Sequence, residues 1–238
     1  SGVDQVTWMD VRVGDWVVTP RHGKPVEINA LWYNGLKVME KLASHFGENG
    51  AEYGELADKV QASFVTEFWN EEDNCLYDVI DTNEKDASIR PNQIYAVSLP
   101  YTMLSNEQAK SVVDVVNEKL FVGVGLRSLD PAHKDYHPIY VGSLPKRDAA
   151  YHQGTAWGFI AGGFITAYCN VYGRNAETAK KALEMLEPMI AHLNDNCVGS
   201  ICEIFDGNAP HNGRGCYGQA WSVGEILRAY VEGELWNA

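Results

Sequence analysis

The run from Tyr151 to Tyr172 constrains this chain more than any other segment. It reads as one long helix, apolar through most of its length, and Gly154, Gly158, Gly162 and Gly163 would let neighbours approach its backbone closely. Such a helix belongs deep in an interior, surrounded by other helices. It is not a membrane span, because its longest apolar stretch, Trp157 to Val171, is interrupted by Gly158, Gly162, Gly163 and Asn170. Spanning a bilayer takes roughly 18 or more continuous apolar residues.

Further helices are legible around it. Val26 to Gly47 carries Ile28, Leu31, Trp32, Met39, Leu42, Ala43 and Phe46 at helical spacing, with Gly47 as a stop. Ala51 to Asn70 carries Leu56, Val60, Phe64 and Phe68 at four-residue steps. Asn70 to Arg90 is polar and turn-rich, with a short strand at Tyr77 to Ile80. Asn92 to Leu104 reads as a helix kinked at Pro100. Ser105, with Gln108 three residues on, is the N-cap of a helix ending near Leu120. Residues 121–150 form a long connection of the kind that is usually functional. Asn175 caps a helix from Ala176 to Leu193, and a last helix covers Tyr217 to Glu232. Seven helices in sequential pairs, with no visible domain boundary or fixed repeat, predict one all-α domain over residues 1–238, a bundle or toroid of helical hairpins. The N-terminal segment, the 121–150 loop and the 199–214 segment should meet at one end.

Composition narrows the function. The formal charge is −13, and 19 basic residues are scattered among 32 acidic ones. That disfavours nucleic acid, which is bound by basic stripes. Ser1 to Thr7 lacks the basic and apolar regions of a signal peptide. The five cysteines, at 75, 169, 197, 202 and 216, show no C-x-x-C pair. They read as reduced, mostly buried thiols rather than a disulfide framework or zinc site, and a cytoplasmic location is expected. Walker, dinucleotide, H-E-x-x-H and G-x-S-x-G motifs are all missing from the sequence.

Three segments mix aromatic and polar residues in ways suited to sugar chemistry, where tryptophans stack on pyranose rings and carboxylates handle glycosidic oxygens. In Thr7-Trp8-Met9-Asp10, followed by Arg21 and Glu27, the neighbours of Asp10 should desolvate it and suit it to general acid catalysis. In Ser200 to Gly207, an extended backbone places Glu203 on one face with Ile201 and Phe205. Its alternative is a structural ion pair with Arg214 or Arg228. Asp206-Gly207 reads as a turn, with Asp206 the next candidate base. In Tyr151 to Trp157, Gln153 and Trp157 lie four residues apart and would share one side of a helix with His152 near them. With Arg90 and Arg127 they would line one pocket.

These motifs resemble the amylo-α-1,6-glucosidase domain of glycogen-debranching enzymes. Thr7-Trp8-Met9-Asp10, Thr19-Pro20-Arg21 with Gly23 to Trp32, and Arg90-Pro91-Asn92-Gln93 match it, as do Gly125 to Leu129, Tyr151 to Trp157, Glu203 to Gly207 and Gly215 to Ser222. They follow the family's order across nearly the whole chain. The resemblance implies an (α/α)6 barrel and hydrolysis of α-1,6-linked glucose at a glycogen or glucan branch, with inversion. It implies Asp10 as acid, Glu203 as base, and substrate contacts from Trp8, Arg21, Glu27, Arg90, Asn92, Gln93, Arg127, His152, Gln153, Trp157, Gln219 and Trp221. No metal and no cofactor is implied, and the partner is a branched α-glucan or oligosaccharide, not a nucleic acid or membrane. The family's domain has several helices before its Thr-Trp-Met-Asp segment, and a double ring needs twelve. This chain is therefore expected to be the C-terminal part of an incomplete barrel, with the rest of the parent enzyme missing N-terminally. Two rivals stand beside this reading: another α-glucoside-processing enzyme of the same barrel type, acting on trehalose for example, and a helical glucan-binding domain without catalysis.

Overall fold

The computed structural model describes residues 7–82 and 84–235. Apart from Thr7, the segment bearing on a signal peptide lies outside the described residues. Within them the chain forms α1 (Val26–His45), α2 (Ala51–Phe68), α3 (Tyr95–Ser98), α4 (Asn106–Lys119), α5 (Leu144–Tyr151), α6 (Gly158–Tyr172), α7 (Ala176–His192) and α8 (Ala220–Glu232). Eleven strands of two residues each precede α1 or lie between the helices. Helix dominates, as the periodicity requires, but the all-α expectation is corrected by these small sheets. None of the described helices is long and apolar enough to cross a membrane.

Helix α6 is the axis of the core. It is buried from Gly158 through Ile165 and packs on α8, α4, α3 and α7. Gly162 makes the α8 contact possible, since a Cβ there would lie 2.7 Å from the carbonyl carbon of Glu225. The predicted helix over Tyr151 to Tyr172 is in fact two elements. α5 ends at Tyr151, a turn follows, and Ala156–Trp157 is a strand before α6 begins at Gly158. Gly154 explains the break: its φ of +143° is not helical, and a side chain there would run into Tyr136 and His137.

Two other elements depart from the periodic reading. The Asn92–Leu104 helix is a 3-10 turn at Pro91–Ile94 followed by the four residues of α3. Pro100 ends it rather than kinking it, because the residue before a proline is pushed to extended backbone, as Leu99 is at ψ 156°. Asn34 then pairs with the released backbone, its Nδ2 donating to Tyr101 O and its Oδ1 accepting from Tyr101 N. On α1, the residues that marked the helix are mostly exposed: Ile28, Leu31, Trp32, Met39, Leu42 and Phe46 face outward. The covered face is Val26, Ala30, Tyr33, Leu36 and Ala43. Two apolar stripes share one helix, and periodicity alone does not say which is packed. On α2, Leu56 is exposed while Phe64 and Phe68 are buried.

Capping followed the residues closely. Ser105 and Gln108 form the capping box of α4, and the Asn175 side chain accepts from Thr178 N to start α7. Gly47, at φ +74°, follows α1.

Candidate active site

The site is assembled by a four-stranded sheet whose strands are Gly213–Arg214, Ile204–Phe205, Ala156–Trp157 and Leu126–Arg127, in that order. Antiparallel pairing sets Ile204 opposite Trp157 and Phe205 opposite Ala156. This brings the loop carrying Glu203 against the end of α5. Other bonds draw in the long connection: Gly207 N donates to Pro138 O, Tyr140 N to Asp206 Oδ1, and Arg127 Nε to Gly207 O. Gln153 Nε2 donates to Val18 O, tying the N-terminal segment to the same end. The three segments expected to meet do so.

Glu203 is half-buried between Cys202 and Ile204 and, among the described residues, is held only by neutral donors. Its Oε1 accepts from the Tyr151 hydroxyl at 2.7 Å and from Gln219 Nε2 at 3.3 Å, and its Oε2 accepts from Cys216 N at 3.0 Å. Gly215, at φ +65°, passes so close that a Cβ would collide with Glu203 Oε2. The two arginines weighed as its ion-pair partners are engaged elsewhere. Arg214 binds Asp206, its Nη2 at 2.7 Å from Oδ2, and Arg228 binds Glu225 and Glu232. Asp206, read as part of a turn, is buried. Burial alone would raise its pKa, but the hydrogen bonds from Arg214 and Tyr140 N hold it below the usual range.

Asp10 is exposed, which corrects its expected desolvation. Of its two apolar neighbours, Met9 turns inward and is buried, with its sulfur against Arg90 and Asn92. Asp10 still lies within electrostatic reach of the Tyr151 phenol. That phenol is held well above its ordinary pKa, by burial first and then by the bond to Glu203, so it stays a donor.

Behind the carboxylates lies an aromatic cluster. The Trp8 ring meets His152, Trp157 and Phe159 edge-on at 5.0–5.3 Å, and Trp221 stacks on Phe159 at 4.2 Å. Trp157 is 2% exposed, stacks on His152, and donates its indole N–H to Tyr151 O. The expected one-sided placement of Gln153 and Trp157 does not arise, because no helix runs through 152–157. Trp8 and Trp221, the latter 39% exposed, are the accessible rings.

Most of the remaining candidates form one buried ionic network. Arg21 binds both carboxylate oxygens of Glu27 and both of Asp78. Asn92 Nδ2 donates to Asp78 Oδ1 at 2.8 Å and its Oδ1 accepts from Trp8 Nε1 at 2.7 Å. Arg90 approaches Asp78 at 3.8 Å and donates to Ser128 O, His152 O and Gln153 Oε1. Gln93 accepts from Leu76 N and donates to Arg90 O. Arg127 lies apart, on Gly207 O and Lys119 O. The sequence reading missed three participants: Tyr151 as a contact of Glu203, Phe159, and Asp78. Asp78 carried a signal, a lone carboxylate inside the apolar Tyr77–Ile80 strand, which demands a buried cation.

An open groove of about 1530 Å³ runs along α1, α6 and α8, and is lined by Trp8, Glu27, Leu31, Phe159, Trp221 and Glu225 among others. Neither Asp10 nor Glu203 lines it; Trp8 and Trp221 belong to both places. Of the cysteines, Cys75, Cys169 and Cys202 are buried, Cys197 is half-buried and Cys216 is exposed.

With this geometry in view, the sequence profile of one family, amylo-alpha-1,6-glucosidase, matches residues 1–228. The chain belongs to that family. It is 25% identical to the glycogen debranching enzyme of Saccharomyces cerevisiae, in an alignment that covers 74% of this chain and 14% of the yeast protein. Among solved structures, a mannosylglycerate hydrolase of Thermus thermophilus aligns with a TM-score of 0.64 at 17% identity, over 90% of this chain and 45% of that one. The neutral trehalase of Saccharomyces cerevisiae aligns with a TM-score of 0.64 at 16% identity, over 88% of this chain and 38% of that one. At such identities the likeness is one of fold, and it is to helical glycosidases. The chain spans less than half the length of each of these relatives.

Proposed function

We propose that this chain carries the catalytic carboxylates of a debranching glucosidase that hydrolyses α-1,6-linked glucose with inversion. The observation that supports it most is Glu203: a half-buried carboxylate with donor partners only, while Arg214 and Arg228 pair with other acids. Such a group is an acceptor poised for a water proton. Asp10, across Tyr151, is the proposed acid. It gives its proton to the glycosidic oxygen as the C–O bond breaks. Glu203 takes a proton from water as the oxygen of that water bonds to the anomeric carbon from the opposite face. Room for the water calls for a carboxyl separation of about 6.5–9.5 Å.

The accessible rings of Trp8 and Trp221 are the proposed sugar platforms, and Gln219, beside Glu203, a sugar contact. Arg21, Glu27, Arg90, Asn92, Gln93, His152, Gln153 and Trp157 serve as the frame behind them, and Arg127 as the brace of the 207 loop. The test uses the full-length protein and an oligosaccharide bearing one α-1,6-linked glucosyl stub, with trehalose as the competing substrate. Asp10→Asn and Glu203→Gln should each lower turnover at least about a hundredfold while binding survives, and the first product seen by NMR should be β-glucose. Near-normal turnover in Glu203→Gln removes it as base. An α-glucose product instead indicates a covalent, retaining mechanism, and preference for trehalose replaces the debranching reading.

A further inference from the structure

An ionised carboxylate has about four acceptor positions. Among the described residues three are taken on Glu203, by the Tyr151 hydroxyl, Gln219 Nε2 and Cys216 N, which leaves one for a water. Which one stays open depends on how the carboxylate is turned about its side-chain axis. Tyr151 supplies the shortest of the three bonds, 2.7 Å against 3.3 Å and 3.0 Å.

The tyrosine is itself well fixed. It is the last residue of α5, and its main-chain oxygen accepts from Thr155 Oγ1 at 2.6 Å and Trp157 Nε1 at 2.9 Å. Its ring packs against Tyr140 at 5.4 Å, His152 at 4.8 Å and Trp157 at 4.8 Å. On the far side, Gly215 leaves room for Oε2 only because it has no side chain, since a Cβ there would collide with that oxygen. The carboxylate is thus clamped between a rigid aromatic donor and a glycine turn.

We infer that Tyr151 is a positioning residue for Glu203, turning its carboxylate so that the one unoccupied acceptor position faces the attacking water. This rests on Glu203 being the base. Tyr151 touches neither sugar nor water in this role; it acts through Glu203. Losing one hydrogen bond to a charged group should therefore slow the step in which the base acts and leave sugar binding alone.

A double-mutant cycle in the full-length protein, using the same glucosyl-stubbed oligosaccharide, decides it. Tyr151→Phe should lower kcat about ten- to a hundredfold with KM changed less than about twofold. In the Glu203→Gln background, adding Tyr151→Phe should lower the residual rate no further. A general packing defect would instead lower both backgrounds by the same factor, and that additivity overturns the inference. So does an unchanged kcat in Tyr151→Phe when Glu203→Gln is impaired. Near-normal turnover in Glu203→Gln is the distinct case in which the base assignment itself fails. Substrate binding by Glu203→Gln and by the double variant, measured by tryptophan fluorescence, must match. A loss confined to the double variant counts against positioning.

Discussion

His152 sits in the core with neither ring nitrogen hydrogen-bonded to any described residue, its imidazole stacked on Trp157 and edge-on to Trp8. Burial, and then the nearby charges of Arg90 and Arg21, push its pKa down to about 3. The side chain therefore works as a small neutral aromatic. The unfolded chain takes up this proton near pH 6.5, the folded chain only near pH 3, so stability is full above about 6.5 and falls as the pH drops through that window. The slope is at most about 1.4 kcal/mol per pH unit for one group. His152→Phe keeps the aromatic packing and removes the proton site. Urea denaturation at pH 7 and pH 5 should show a smaller loss of stability in the variant than in the parent. An equal loss would mean that His152 is not the group responsible. Residue-scale reading of the sequence did flag His152, but as a sugar contact; a ring's burial depends on residues far along the chain, here Trp8.

At the scale of elements, glycines decide how close helices come, and the structure separates two kinds. Gly162 on α6 lies against the Glu225 carbonyl of α8, whereas a Cβ on Gly35 of α1 would meet nothing within 4 Å. Alanine favours a helix by about 1 kcal/mol over glycine when nothing opposes it. Gly35→Ala should therefore stabilise the chain by up to that amount. Gly162→Ala should destabilise it by about 1–3 kcal/mol, because α6 and α8 must separate. Thermal melts of the two variants with opposite signs are the expected result; a stabilised Gly162→Ala would mean that the helices shift freely. Capping residues at this scale were legible because their partners lie three residues away, as in Ser105 with Gln108 and Asn175 with Thr178. The split between α5 and α6 was not. Backbone pairing of Ala156–Trp157 with strands some 30 residues before and 50 after it overrides local helical preference.

Across the whole molecule, the network of Arg21, Glu27, Asp78 and Arg90 joins parts that are distant in sequence. It links the N-terminal segment, the first turn of α1, the strand at 79–80 and the turn at His152. Two cations face two anions there, and the side chains of Arg21, Glu27 and Asp78 are at most 3% exposed. Removing one partner leaves buried charge uncompensated, typically at a cost of about 3–5 kcal/mol. Arg21→Met, which keeps much of the aliphatic volume, should lose that much in chemical denaturation. A loss below about 1 kcal/mol would show the network to be dispensable. If the frame is indeed what holds Trp8 in place through Asn92, the variant should also bind the glucosyl-stubbed oligosaccharide more weakly.

Local pattern was enough for most helices and for their caps, because those features depend on residues a few positions apart, and the order of motifs along the whole chain carries the family membership. It also put Asp10 and Glu203 forward as candidates, since each sits in a short motif that mixes aromatic and polar residues. Three-dimensional packing settled the rest. It left one of the two apolar stripes on α1 uncovered, buried Trp157 while leaving Trp221 open, and exposed Asp10 while turning Met9 inward. It gave Arg214 to Asp206 rather than to Glu203, and gave Glu203 a tyrosine from the end of α5. Burial and hydrogen-bond partnership are properties of neighbours brought together from across the chain, so they follow from how α5, α6 and the small sheet are assembled.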